Sequence, residues 1–197
     1  MFDDIVARYH NMLDYLGLDT FAYTVTFPES GVLSVEDAVR RLHLDQAPNE
    51  PHRRGALHLY QVGSGVVTLD WVNLGDREQM IQRLAGDGFR HWYVSFDIKG
   101  STSMYVRYGI AEGYLDHPEP ASLPFTPWTD LLGPLIPFAK ILAGGYDCEG
   151  AEASVDITAA CLAVVELESG VRLDENLMHS AHSALPIPIQ AMAQAGS

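Results

Sequence analysis

The run His91–Ile98 sets Tyr93, Ser95 and Asp97 on one face of an alternating strand and Trp92, Val94, Phe96 and Ile98 on the other. Lys99-Gly100-Ser101 then turns the chain into a second strand-like run, Met104–Ile110, where Tyr105 and Arg107 fall on the polar side. Aromatic rings with one guanidinium and one carboxylate compose ligand pockets and interface hot spots. Tyr93, Asp97, Tyr105 and Arg107 are therefore the candidate ligand-binding residues. The same pattern also suits a cross-strand ladder covered by a helix. A second set is acidic: Glu112, Asp116, Glu119, Asp147, Glu149, Glu152 and Asp156. Carboxylates in such numbers suit the binding of a basic partner.

The charge balance supports that second set. The chain of 197 residues has 26 acidic and 12 basic residues, a net charge of −14. Its first hundred residues carry 14 acidic and 9 basic side chains, and the remainder carries 12 and 3. Net charge governs steering and partner choice, not fold. A surface of this sign repels nucleic acid and anionic membrane, and no Lys/Arg stripe offers a nucleic-acid footprint. The quartet Arg40, Arg41, Arg53 and Arg54 is expected to pair locally with Asp37, Asp45 and Glu50.

Sequence signatures of catalysis are missing. There is no phosphate-binding G-x-x-x-x-G-K-[ST], no G-x-G-x-x-G and no G-x-S-x-G elbow. Zinc signatures such as H-E-x-x-H and C-x-x-C are absent too, and the acidic run at 147–156 lacks EF-hand spacing. His179 and His182 could share a helical face but have no evident third ligand. Neither a metal nor a cofactor is implied, and an enzyme is the less favoured expectation. Cys148 and Cys161 read as reduced thiols, and Cys161 as a small core residue.

These residues need a scaffold, and most of its elements have local signals. Ile5, Tyr9, Met12, Leu13 and Leu16 recur at helical spacing before Gly17, and FAYTVTF at 21–27 reads as a strand. Ser34-Val-Glu-Asp37 opens a helix through Leu42 with a capping-box pattern. Leu57–Val62 and Val66–Val72 flank Gly63-Ser64-Gly65 as a hairpin, with Val67, Leu69 and Trp71 facing the core. A helix is expected over 77–84, and a short strand over 112–116. Prolines break up the stretch 118–137, and a long helix follows at 152–168 with an apolar, buried middle. Asp174 caps a final short helix, and the tail from 182 reads as loose. No run approaches 18 apolar residues, so neither a transmembrane span nor a secretory signal is expected, and the cytoplasm is the expected compartment.

The segments FAYTVTF, SVEDAVRRL, HWYVSFDIKGSTSMYVRYG and SGVRLDENLM resemble those of a small, mainly actinobacterial domain family of unknown function. The resemblance spans about residues 20–180 and implies an α+β architecture and a bacterial cytoplasmic origin. It brings no catalytic residues.

The expectation is a single α+β domain over residues 1–181 with a loosely ordered tail, 182–197. Its sheet is an antiparallel meander of about five to seven strands with helices mainly on one face. The functional expectation is a non-catalytic acidic interaction protein, of the immunity, antitoxin or nucleic-acid-mimic kind, that binds a basic protein. The alternative is a small-molecule-binding protein or enzyme with a pocket between sheet and helices. Oligomeric state is not legible.

Overall fold

The computed structural model describes residues 2–17, 20–43, 56–70, 82–97, 102–109, 111–117, 156–180 and 183–186. They form an α+β fold on one antiparallel sheet. In chain order the elements are α1 (Phe2–Leu16), β1 (Phe21–Pro28), α2 (Val35–Arg41), β2 (Ala56–Val62), β3 (Gly65–Asp70), a short 3-10 helix (Gln82–Leu84), β4 (Phe89–Phe96), β5 (Thr102–Tyr108), β6 (Ala111–His117), α3 (Ile157–Ser169), α4 (Glu175–His179) and β7 (Ser183–Pro186).

The sheet order β6-β5-β4-β1-β3-β2-β7 corrects the expected meander. The hairpins β2–β3 and β4–β5–β6 are present, but β1 lies between them and pairs with both β3 and β4. The reason lies in β1 itself. Phe21, Tyr23 and Val25 enter one apolar cluster while Ala22 enters another, and every side chain from Phe21 to Thr26 is buried. A strand covered on both faces gains most at the centre of a sheet, where both of its edges are also hydrogen-bonded.

The start of β3 runs close against the end of β1. A Cβ at Gly65 would collide with the Thr26 carbonyl oxygen and come within 2.6 Å of the Phe27 ring. Gly65→Ala is therefore expected to destabilise the fold by about 1–3 kcal/mol, the usual cost of overpacking. Urea denaturation measures it, and a variant as stable as the parent would mean that β1 and β3 sit farther apart than described.

The two long helices share one face of the sheet. α3 contacts β4 and β5 on one side and α1 on the other, so it is buried almost all round, with Ile157 and Ala159–Val165 inaccessible. It starts at Ile157 behind the N-cap Asp156, and Gly170 in the left-handed conformation (φ 73°) ends it. Of the expected helix 152–168, residues 152–155 lie outside the described residues. Polar bonds join α1 to α3: Arg8 and Tyr9 both donate to Glu166, Tyr9 at 2.6 Å, and His10 meets Asp156 at 2.8 Å. The backbone N–H of Leu173 donates to the Tyr9 hydroxyl.

The second face carries its own cluster, in which Ala38 of α2, its C-cap Leu42 and Leu84 join Ala22, Leu57, Leu59, Tyr93 and Tyr105. α2 follows its capping signal: the Ser34 hydroxyl accepts from the Asp37 backbone N–H at 3.1 Å. Arg40 pairs with Asp37, and Arg41 stacks over the Phe89 ring at 4.2 Å. Arg53 and Arg54 lie outside the described residues, as do Asp45, Glu50, Trp71, Cys148 and most of the expected helix 77–84. The expected loose tail is corrected at four residues, since Ser183–Pro186 pairs with β2 as an edge strand. An edge position tolerates Pro186, whose missing N–H a central strand would need.

Candidate functional site

The end of the sheet where β1 leaves and β4 enters gathers more chemistry than any other described region. Antiparallel register aligns Phe27 with Arg90 and Arg90 with Tyr108 in one row. The next row aligns Thr26, His91 and Arg107 on the opposite face. Two backbone bonds close this end: Glu29 N–H to the Gly88 carbonyl at 2.7 Å and Gly109 N–H to the Phe89 carbonyl at 3.1 Å.

On the α3 side lies a cleft of about 220 Å³ lined by Phe27, Pro28, Glu29, Arg90, Trp92, Glu168 and Ser169. The last turn of α3 carries Glu168 over the sheet end. The Trp92 indole N–H donates to the Tyr108 hydroxyl at 3.0 Å, which donates to Glu168 Oε2 at 3.1 Å. The two rings meet edge-on, with centroids 5.5 Å apart. Burial raises the pKa of the Glu168 carboxyl, while the Tyr108 bond and the Arg90 charge oppose that rise. Burial, then Glu168, raises the Tyr108 phenol pKa. Ser169 is no free nucleophile: its hydroxyl donates to the Val165 carbonyl and accepts from Val171 N–H. Arg90 and Glu29 are exposed, and neither forms an ion pair with another described residue. A perturbed carboxyl in a cleft beside an unpaired guanidinium is a recognised signature of a binding site.

On the other face the buried side chains are unusually polar. Among the described residues Thr24, Thr26, Thr68, Asp70, His91, Ser95 and Thr102 are buried and polar, and all but Thr102 lie on the face away from α3. Thr24 and Thr68 share a 2.7 Å hydrogen bond across β1 and β3, and Thr26 bonds His91 Nδ1 at 2.8 Å. Among the described residues His91 Nε2 has no hydrogen-bond partner. Desolvation, with a smaller contribution from the Arg107 charge, pushes the imidazole down to about 3, so it is neutral at pH 7.

The four candidate ligand residues divide. Tyr93 and Tyr105 are directly paired across β4 and β5, as in a cross-strand ladder, and both are buried in the second cluster. Arg107 is tied down by Asp87 at 2.8 Å and by the Gly109 carbonyl at 2.7 Å. Asp97 is half-buried at the far end of β4, away from Arg107. Of the acidic set, Asp156 is engaged within the fold: one oxygen caps α3 at Ala159 N–H and the other meets His10. Glu112 and Asp116 occupy register positions opposite Arg107 and Ser103 on β6. Glu119, Asp147, Glu149 and Glu152 lie outside the described residues.

Glu29, Arg90, Tyr108 and Glu168 carry no motif and were not among the sequence candidates. They come from three strands or strand ends and one helix end, and the pairing of β4 with β1 and β5 and the packing of α3 on the sheet bring them together. Among the described residues no cluster of His, Cys, Asp and Glu could hold a metal ion, and Cys161 is buried, with its thiol pKa raised by desolvation. Nor is any described helix long and apolar enough to cross a membrane. No family model, curated protein or solved structure is significantly similar to the chain.

Proposed function

We propose that this chain is a non-catalytic binding protein that takes a small polar molecule in the cleft at the end of β1 and β4. One observation supports it above the others: Arg90, Glu29 and Glu168 line one cleft beside the half-buried Phe27 and Pro28, with Arg90 and Glu29 unpaired among the described residues. The volume of about 220 Å³ is below the roughly 300–1,000 Å³ typical of drug-sized ligands, so the ligand is of small-metabolite size. The proposal assigns no reaction.

A fragment screen by NMR on the full chain tests the reading, with the Trp92 indole N–H and the Arg90 Nε–H as reporters. Small polar fragments are expected to shift both signals, and Arg90→Gln to weaken those hits. Hits that all map elsewhere would overturn it.

The charge of −14 favours a second reading, a cytoplasmic interaction protein steered to a basic partner. Complementary fields speed association and fade with salt. Capture of a basic protein from the native cell that resists high salt would count against that reading, as would capture of none.

A further inference from the structure

Resting on the cleft reading, we infer that the ligand is a small zwitterion, with an ammonium and a carboxylate on one compact apolar body. The charges in the cleft set this requirement. Arg90 is a permanently ionised, planar fork of N–H donors, whose natural partner is a carboxylate held by two parallel bonds. Glu168 offers the complementary end: one oxygen is held by the Tyr108 hydroxyl, which leaves the other to accept from an ammonium. Glu29 adds a second carboxylate at the rim.

Ligands of one charge fit less well. An amine would satisfy Glu168 and Glu29 but bring a like charge beside Arg90. A simple carboxylate would satisfy Arg90 but face two carboxylates, and a phosphate would bear that repulsion with a larger charge. A zwitterion places each charge against its opposite. The Ser169 hydroxyl is occupied by Val165 and Val171, so it adds no requirement for a hydroxyl on the ligand. The half-buried Phe27 and Pro28 offer apolar surface for the body between the two charges.

The test titrates three isosteric probes into the full chain: L-valine, isobutylamine, which lacks its carboxylate, and isovalerate, which lacks its ammonium. NMR follows the Trp92 and Arg90 reporters. L-valine is expected to bind at least about tenfold more tightly than either analogue, the effect of one charge-assisted contact. Arg90→Gln is expected to remove its advantage over isobutylamine, and Glu168→Gln its advantage over isovalerate, with circular dichroism confirming that both variants fold. Equal affinities for the three probes, or an advantage that survives both substitutions, would overturn the inference. If other fragments seat in the cleft while L-valine shows no preference, the zwitterion falls and the binding site stands. If nothing seats there, both fall.

Discussion

Acidification from pH 7 to pH 5 is expected to cost the native state about 2 kcal/mol through His91 alone. The sign follows from where the proton binds. In the unfolded chain the imidazole has its ordinary value of 6.5, and in the fold it is pushed down to about 3. Between those values the unfolded state takes up a proton that the native state refuses, so stability falls as pH falls. The loss sets in near pH 6.5 and levels off only near pH 3. The fold refuses the proton because His91 is fully buried, Arg107 stands opposite it on β5, and Nε2 has no acceptor among the described residues to share a second N–H. Its other contacts among the described residues, the Thr26 hydroxyl and the Tyr105 ring at 5.8 Å, carry no negative charge. His10 acts in the opposite direction: bonding to Asp156 raises its pKa, so its contribution is present at low pH and lost as pH rises. The measurement is therefore a difference. Urea melts of the parent and of His91→Asn at pH 7 and pH 5 are expected to show the parent losing about 2 kcal/mol more than the variant. Equal losses would show that His91 is not held neutral in the fold.

Trp92→Ala is expected to remove about 3–5 kcal/mol, the range for truncating a large buried aromatic. In a chain of this size each kcal/mol lowers Tm by about 2–4 °C. Trp92 is almost completely buried on β4 in the cluster formed with α3, and its indole N–H holds the Tyr108 hydroxyl at 3.0 Å. The truncation leaves a cavity and also releases the chain of bonds that positions Glu168. Trp92→Phe separates the two effects. It keeps most of the packing but leaves the Tyr108 hydroxyl without its donor, so its cost is expected near 1 kcal/mol. Thermal melts of both variants give the comparison, and a Phe variant as damaged as the Ala variant would assign the whole effect to the hydrogen bond.

Both predictions concern β4, whose alternation is plain in the sequence. That alternation places Trp92, Val94 and Phe96 on the α3 face, as the structure has them. The capping box at Ser34, the hairpin around Gly63–Gly65 and the stop at Gly170 are equally local, and each forms where its residues indicate. The candidate site was much less legible. Tyr93 and Tyr105 stand among the candidate ligand residues, but burial makes them wall instead of surface. His91 opens the run His91–Ile98, and nothing near it in sequence reports that Thr26 binds its ring. Glu168 ends the expected helix 152–168, and nothing in that stretch signals that Tyr108 holds it or that the Arg90 charge acts on it.

The sequence by itself determined the elements and which side of most of them is apolar, because capping, alternation and turn chemistry act over a few residues. It also determined the net charge of −14, a sum that no folding can change. Only the tertiary structure decided that β1 separates the two sets of strands, that Ser183–Pro186 joins the sheet, and that Arg90 and Glu168 share a cleft. Those outcomes depend on pairings between residues scores of positions apart. Such pairings are selected by the burial of whole faces, and no short stretch of sequence encodes the face that another stretch will cover.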